Sequence, residues 1–149
     1  MKKLIIYYFL LFGIGCFGYG LIEILWRGYT HPSMGIAGGI SFCLISIIQK
    51  NFSELQLVYR CLLSGLSITV IELIFGIIFN IILNENVWNY SRIPLNFYGQ
   101  ICLLYTVLWC FLSIPLLRLT AIIRNFIIYE NKVNPNQNSK NNGRWNNLT

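Results

Sequence analysis

The sequence predicts an all-α polytopic membrane protein, a four-helix transmembrane bundle, and three observations carry that prediction. Hydrophobic residues make up 56% of the 149 positions and charged residues only 11%, whereas soluble domains carry about 25% charge. The apolar residues fall in four runs nearly free of charge, at 4–22, 28–49, 61–84 and 93–117. Each run can cross a hydrocarbon layer of ~30 Å at a rise of ~1.5 Å per residue. Finally, each run carries one stripe of small and polar residues at helical spacing. Four spans use most of the chain and leave no room for a soluble catalytic domain.

The first helix is expected over about 4–26. Gly13, Cys16, Gly20, Glu23 and Arg27 follow one another at spacings of 3, 4, 3 and 4, so they share a face. A basic start followed by an apolar run also fits a signal peptide. The apolar stretch continues past Cys16 through Leu25, however, so an uncleaved helix is expected. The second helix, about 34–49, repeats the stripe with Gly35, Gly39, Cys43 and Ser46. Gly35 and Gly39 form a GxxxG pair that lets backbones approach closely.

The third helix, about 57–83, carries Gly65, Thr69, Glu72, Gly76 and Asn80. The fourth, about 97–118, carries Gly99, Cys102, Thr106, Cys110 and Ser113, with Pro115 near its end. The stripes are expected to face inward, because small residues pack and polar groups must avoid lipid. Gly20, Gly35, Gly39 and Gly76 are the expected helix-packing positions. Residues 119–129 read as a helical or interfacial extension, completing a transmembrane unit over 1–129. Residues 130–149, rich in Asn and Lys, read as a disordered cytoplasmic tail.

The net charge of +6 is unevenly placed. With the N-terminus inside, four spans put Lys2, Lys3, Lys50, Arg60, Arg118, Arg124, Lys132, Lys140 and Arg144 on the cytoplasmic side. Only Arg27 and Arg92 are then outside. This bias predicts both ends in the cytoplasm. Attraction to anionic membrane lipid accounts for the basic balance, and no nucleic-acid partner is required. The five cysteines, at 16, 43, 61, 102 and 110, lie in spans without CxxC spacing and read as small buried hydrophobes.

Glu72 is the candidate of greatest interest. A charge deep in a span costs at least ~2.5 kcal/mol even on the mildest scale, so it marks a functional site or an internal partner. No Lys or Arg is placed at equal depth. Either a hydrogen bond from Thr, Ser or Asn of another helix, or a substrate or proton site, fits the position. Glu23 and Arg27, four residues apart, can pair and anchor the adjoining loop. Two outer segments, 27–33 and 85–100, are rich in aromatic and hydrogen-bonding side chains. An aromatic belt at the headgroups covers Tyr29, Trp88, Tyr90 and Tyr98, but does not require His31, Asn96 or Gln100. His31 is the only histidine; a backbone carbonyl or Glu23 is its expected partner. No cluster of ligands points to a metal, and no cofactor is expected. There is no GxxxxGK[ST] loop for ATP hydrolysis and no catalytic triad.

Glu23, the run Arg27-Gly-Tyr-Thr-His-Pro-Ser-Met34, Gly38-Gly39, Ile71-Glu72, Gly76, Asn80, Val87-Trp-Asn-Tyr-Ser91, Pro94-Leu-Asn96 and Gly99-Gln-Ile-Cys102 together resemble a family of small bacterial integral membrane proteins. That family is labelled type IV ABC transporters (CmpB-like), and the resemblance covers roughly residues 10–115. The family pattern reads tyrosine-serine-histidine-tryptophan in the first loop, where this chain has Tyr29-Thr30-His31-Pro32. It reads tryptophan-aspartate-tyrosine in the second, where this chain has Trp88-Asn89-Tyr90. The change at 89 removes an acid and, with it, a proton-handling role there.

The resemblance implies a transport-linked membrane subunit that is not an enzyme and relies on a separate ATPase or permease subunit. Such a subunit would sit in the bacterial cytoplasmic membrane as a homo- or hetero-oligomer. On this reading Glu23, Arg27, His31, Asn80, Trp88, Asn96 and Gln100 line a substrate path, with Glu72 beneath. The alternatives are an autonomous homodimeric proton-coupled exporter and a membrane-embedded enzyme or regulatory partner using His31, Glu23 and Arg27.

Overall fold

A computed structural model describes residues 2–129; the tail expected over 130–149 lies outside the described residues. The chain is a four-helix polytopic membrane protein. Helix α1 spans Lys2–Arg27, α2 Pro32–Asn51, α3 Leu57–Phe75 and α4 Leu103–Arg124. α3 continues through a π-helical segment at Gly76–Ile82, and α4 through one at Asn125–Tyr129. All four helices are long and apolar enough to cross a bilayer. The connections 28–31 and 83–102 lie together at one end of the bundle, the loop end. The chain start, the short turn at 52–56 and the last turns of α4 occupy the other.

The fourth helix starts later than its apolar pattern predicts. Residues 96–102 form a two-stranded antiparallel hairpin instead, with β1 (Asn96–Phe97) paired to β2 (Ile101–Cys102). Residues 119–129 continue the helix beyond Pro115. α2 starts at a well-formed cap. His31 is extended, its Nδ1 accepts the Ser33 backbone N–H at 3.3 Å, and Pro32 opens the helix, where a missing N–H costs nothing.

The helices meet where side chains are smallest. A methyl group on Gly38 would collide with Tyr19 and the Gly15 carbonyl. One on Gly39 would sit 2.7 Å from Phe12, and one on Gly15 2.8 Å from Gly39. This is the α1–α2 crossing. Gly65 lies just as tightly under Cys110 at the α3–α4 crossing. Two members of the expected α1 stripe lie off this crossing: a methyl group on Gly13 would meet nothing within 4 Å, and one on Gly20 only the Thr30 methyl at 4.0 Å, whereas Cys16 abuts Gly39. A methyl group on Gly35 would make only an ordinary contact, 3.7 Å from the Cys16 carbonyl, so Gly38, not Gly35, joins Gly39 at the close approach.

Between the helices lies a core built on Tyr7, Leu11, Phe42, Ile45, Ile68 and Leu117. Several of its polar groups are paired across helices, as a lipid-surrounded bundle favours. The Tyr7 hydroxyl donates to the Thr120 carbonyl at 3.1 Å and lies 2.6 Å from Ser46 Oγ, tying α1, α2 and α4 at the end away from the loops. The Thr69 and Thr106 hydroxyls, 2.9 Å apart, join α3 to α4.

Gly38→Leu is expected to lower stability by about 1–3 kcal/mol through overpacking. Gly13→Ala should leave it unchanged or slightly higher. Thermal unfolding of the purified protein in detergent checks both.

Candidate functional site

The loop end is organised by two polar clusters and a cleft. The first cluster starts on α1. The Glu23 carboxylate pairs through Oε1 with Arg27 and accepts from the Thr30 hydroxyl through Oε2 at 2.7 Å. Arg27 also donates to the Val87 carbonyl at 3.1 Å and lies over the Tyr29 ring at 5.1 Å. Glu23 is buried, and its charge is compensated within the protein. The pair thus holds the 28–31 turn and the 83–95 segment against each other.

The second cluster centres on Asn80 in the π-helical end of α3. Its Oδ1 accepts the Val87 N–H at 2.6 Å, and its Nδ2 donates to the Trp88 carbonyl at 3.0 Å and to Gln100 Oε1 at 2.8 Å. The Trp88 indole N–H donates to the Gln100 carbonyl at 2.8 Å, and Gln100 Nε2 to the Tyr98 carbonyl at 3.0 Å. Gly76 fits beneath, where a methyl group would lie 2.6 Å from Gln100 Oε1. Asn96 holds the hairpin from the other side, donating to the Ile93 carbonyl at 2.7 Å and accepting the Gly99 N–H at 3.1 Å. These bonds maintain left-handed backbone at Leu95 and Tyr98 (φ 56° and 50°), a conformation that persists only where its surroundings over-determine it. Asn80, Trp88, Asn96 and Gln100 therefore have their polar groups engaged in folding the loop.

His31 turns away from Glu23. Its Nδ1 accepts from the Ser33 N–H and faces the Ser33 hydroxyl at 2.7 Å, which puts the ring proton on Nε2, 3.5 Å from the Glu85 carboxylate. His31, Glu23 and Arg27 do not converge on one reacting point.

Glu72 lies ten residues before the end of the continuous helix at Ile82, roughly 15 Å along its axis. It is buried, and its donors are aromatic, not Thr, Ser or Asn. The Trp109 indole N–H donates to Oε2 at 2.9 Å, and the Tyr90 hydroxyl to Oε1 at 3.4 Å. Burial, and after it the neighbouring Glu72 carboxylate, push the Tyr90 phenol well above its usual range, so it remains a donor. Trp88 and Tyr90 face inward and are not belt residues; Tyr29 and Tyr98 are exposed.

Beside Glu72, between α1 and α4, opens a cleft of about 380 Å³. Tyr19, Glu23, Arg27, Tyr90, Tyr105 and Trp109 form its polar and aromatic wall, and Ile22, Leu25, Trp26 and Leu108 the rest. A second cavity of about 220 Å³ continues along α1 from Tyr19 and Trp109 and is almost wholly apolar. Tyr19, Thr30, Tyr105 and Trp109 did not stand out in the sequence. Two signals were available: the i,i+4 spacings Tyr19–Glu23 and Tyr105–Trp109, and the need of an indole N–H deep in a span for an acceptor.

The chain belongs to the family described as Putative ABC-transporter type IV, whose pattern matches residues 2–136. Comparisons with curated proteins and with solved structures gave no match. The family description is that of a transporter component. It agrees with four membrane-length helices around an internal carboxylate.

Asn80→Ala is expected to orphan the Val87 N–H and weaken the bonds to Trp88 and Gln100, at about 1–3 kcal/mol for a buried group left unpaired. Limited proteolysis read by mass spectrometry should then cut within 83–102 while the helices remain intact.

Proposed function

We propose, from the premise of this family membership, that the protein is the membrane-embedded subunit of a bacterial transporter. It has no ATPase or other catalytic activity of its own and works with a separate ATPase or permease subunit. The observation that carries the reading is the cleft between α1 and α4, with Glu72 buried behind its Tyr90 and Trp109 wall. A carboxylate this deep is expensive to keep in a membrane, and this one adjoins a space large enough for a small molecule, at the low end of the ~300–1,000 Å³ typical of ligand sites. Of the candidate residues, Glu72, Glu23 and Arg27 belong to the substrate path. Asn80, Trp88, Asn96 and Gln100 support the loop that closes one end of it. His31 caps α2 and latches Glu85.

The bundle sits in the cytoplasmic membrane with both termini inside, as the distribution of Lys and Arg favours. The loop end then faces outward. The family description, that of a transporter component, favours assembly with further subunits or copies. One observation supports a second reading: no Lys or Arg pairs with Glu72 among the described residues. A carboxylate free of a fixed cation suits an autonomous homodimeric carrier that exchanges protons.

Crosslinking in native membranes followed by purification separates the two. A stoichiometric ATPase is expected; a homodimer alone would move the assignment to the autonomous carrier. Orientation is tested independently in a cysteine-free background. Ser91→Cys should react with a membrane-impermeant maleimide in intact cells, and Ser53→Cys only after permeabilisation; the reverse pattern would invert the topology.

A further inference from the structure

We propose that the α1–α4 cleft binds a lipophilic organic cation, a tertiary or quaternary ammonium group bearing apolar or aromatic substituents. The proposal rests on the transporter reading and names the class of its cargo. Four aromatic rings, Tyr19, Tyr90, Tyr105 and Trp109, line one side of the cavity. They form a continuous set: Tyr90 stacks on Tyr105 at 4.6 Å, Tyr105 lies 6.3 Å from Trp109, and Trp109 lies 5.7 Å from Tyr19. Aromatic faces carry negative potential and attract cations, most strongly where water is excluded. Trp109 and Tyr90 both donate to Glu72. Donation to a carboxylate enriches a ring's π-electrons, and the carboxylate charge itself lies just behind the two rings.

The charge balance of the wall points the same way. Arg27, the one cationic side chain lining the cleft among the described residues, is already held by Glu23 and the Val87 carbonyl. With that pair neutral the lining carries no net charge, and an ionised Glu72 behind Tyr90 and Trp109 places one negative charge next to it. The remaining wall is apolar, and exposed Ile22, Leu25, Trp26 and Leu108 flank it on the two helices. A ligand that partitions into the bilayer can reach it from the side. Among the described residues a bare metal ion would find no ring of oxygen ligands there, and an organic anion would meet aromatic faces with a carboxylate behind them.

Tetraphenylphosphonium and its charge-inverted isostere tetraphenylborate separate charge from shape. In equilibrium dialysis against the purified full chain, saturable binding of tetraphenylphosphonium is expected and none of tetraphenylborate. Glu72→Gln should weaken the cation by about tenfold, and so should Tyr105→Leu, which removes a cleft ring that does not itself hydrogen-bond Glu72. Equal binding of both ions would overturn the proposal, as would undiminished cation binding in both variants. If neither ion binds but crosslinking still captures an ATPase, the cation assignment fails while the transporter reading stands. Cation binding without any ATPase keeps the site and removes the subunit assignment.

Discussion

The hydrogen bond from the Trp109 indole to Glu72 is the constraint on which the interior depends. A bilayer offers no water to a carboxylate inside a span, so its oxygens need donors from the protein. Trp109 supplies one from α4, and Tyr90 another from the loop. Satisfying one side chain of α3 therefore draws in the fourth helix and the segment that precedes it. The later start of α4 follows from the same demand. Residues 83–102 must fold back toward α3 to deliver Tyr90, and the hairpin with its Asn80 and Gln100 bonds is the backbone solution.

α1 is attached differently from the other helices. It is held at the loop end by Glu23, Arg27 and Thr30, at the far end by Tyr7, and along α2 by the glycine crossing. Between these anchors its face toward α4 is left largely open. The glycines bring α1 close to α2, and the bulk of Tyr19 and Trp109 keeps it off α4. The cleft thus follows from the close approach of α1 to α2 at Gly15, Gly38 and Gly39, with aromatic rings between α1 and α4.

Much of this was legible in the sequence. Four membrane-length helices follow from hydropathy alone, and the isolated Glu72 follows from its apolar neighbours. The i,i+4 spacing of Glu23 and Arg27 was enough to anticipate their pairing. What resisted reading was which polar groups meet. Helical periodicity places Gly13 and Gly20 on a polar stripe, yet close approach depends on the rotation of α1 against α2, which Gly15 and Gly38 decide. The apolar run from 93 continues without a break into α4, so hydropathy cannot mark where a hairpin ends and a helix begins. His31 and Asn80 find partners in the backbone and in Glu85, through turns whose left-handed residues include Leu95 and Tyr98. Neither residue type signals such a conformation.

The kind of donor around Glu72 bears directly on what it can do. A guanidinium would hold the carboxylate ionised and neutralise it permanently. Trp109 and Tyr90 offer dipoles without net charge. An indole N–H still bonds a protonated carboxyl through its carbonyl oxygen, and a phenol can donate to a carboxylate or accept from a carboxylic acid. The shell is therefore compatible with either charge state without rearranging the helices. It also leaves the carboxylate's charge uncompensated when ionised, and that charge is available to a cation in the adjoining cleft. Glu23, compensated by Arg27, has no such freedom. Two glutamates of one bundle are thus separated in role by their partners: one holds the loops together, and the other can answer to a ligand or a proton.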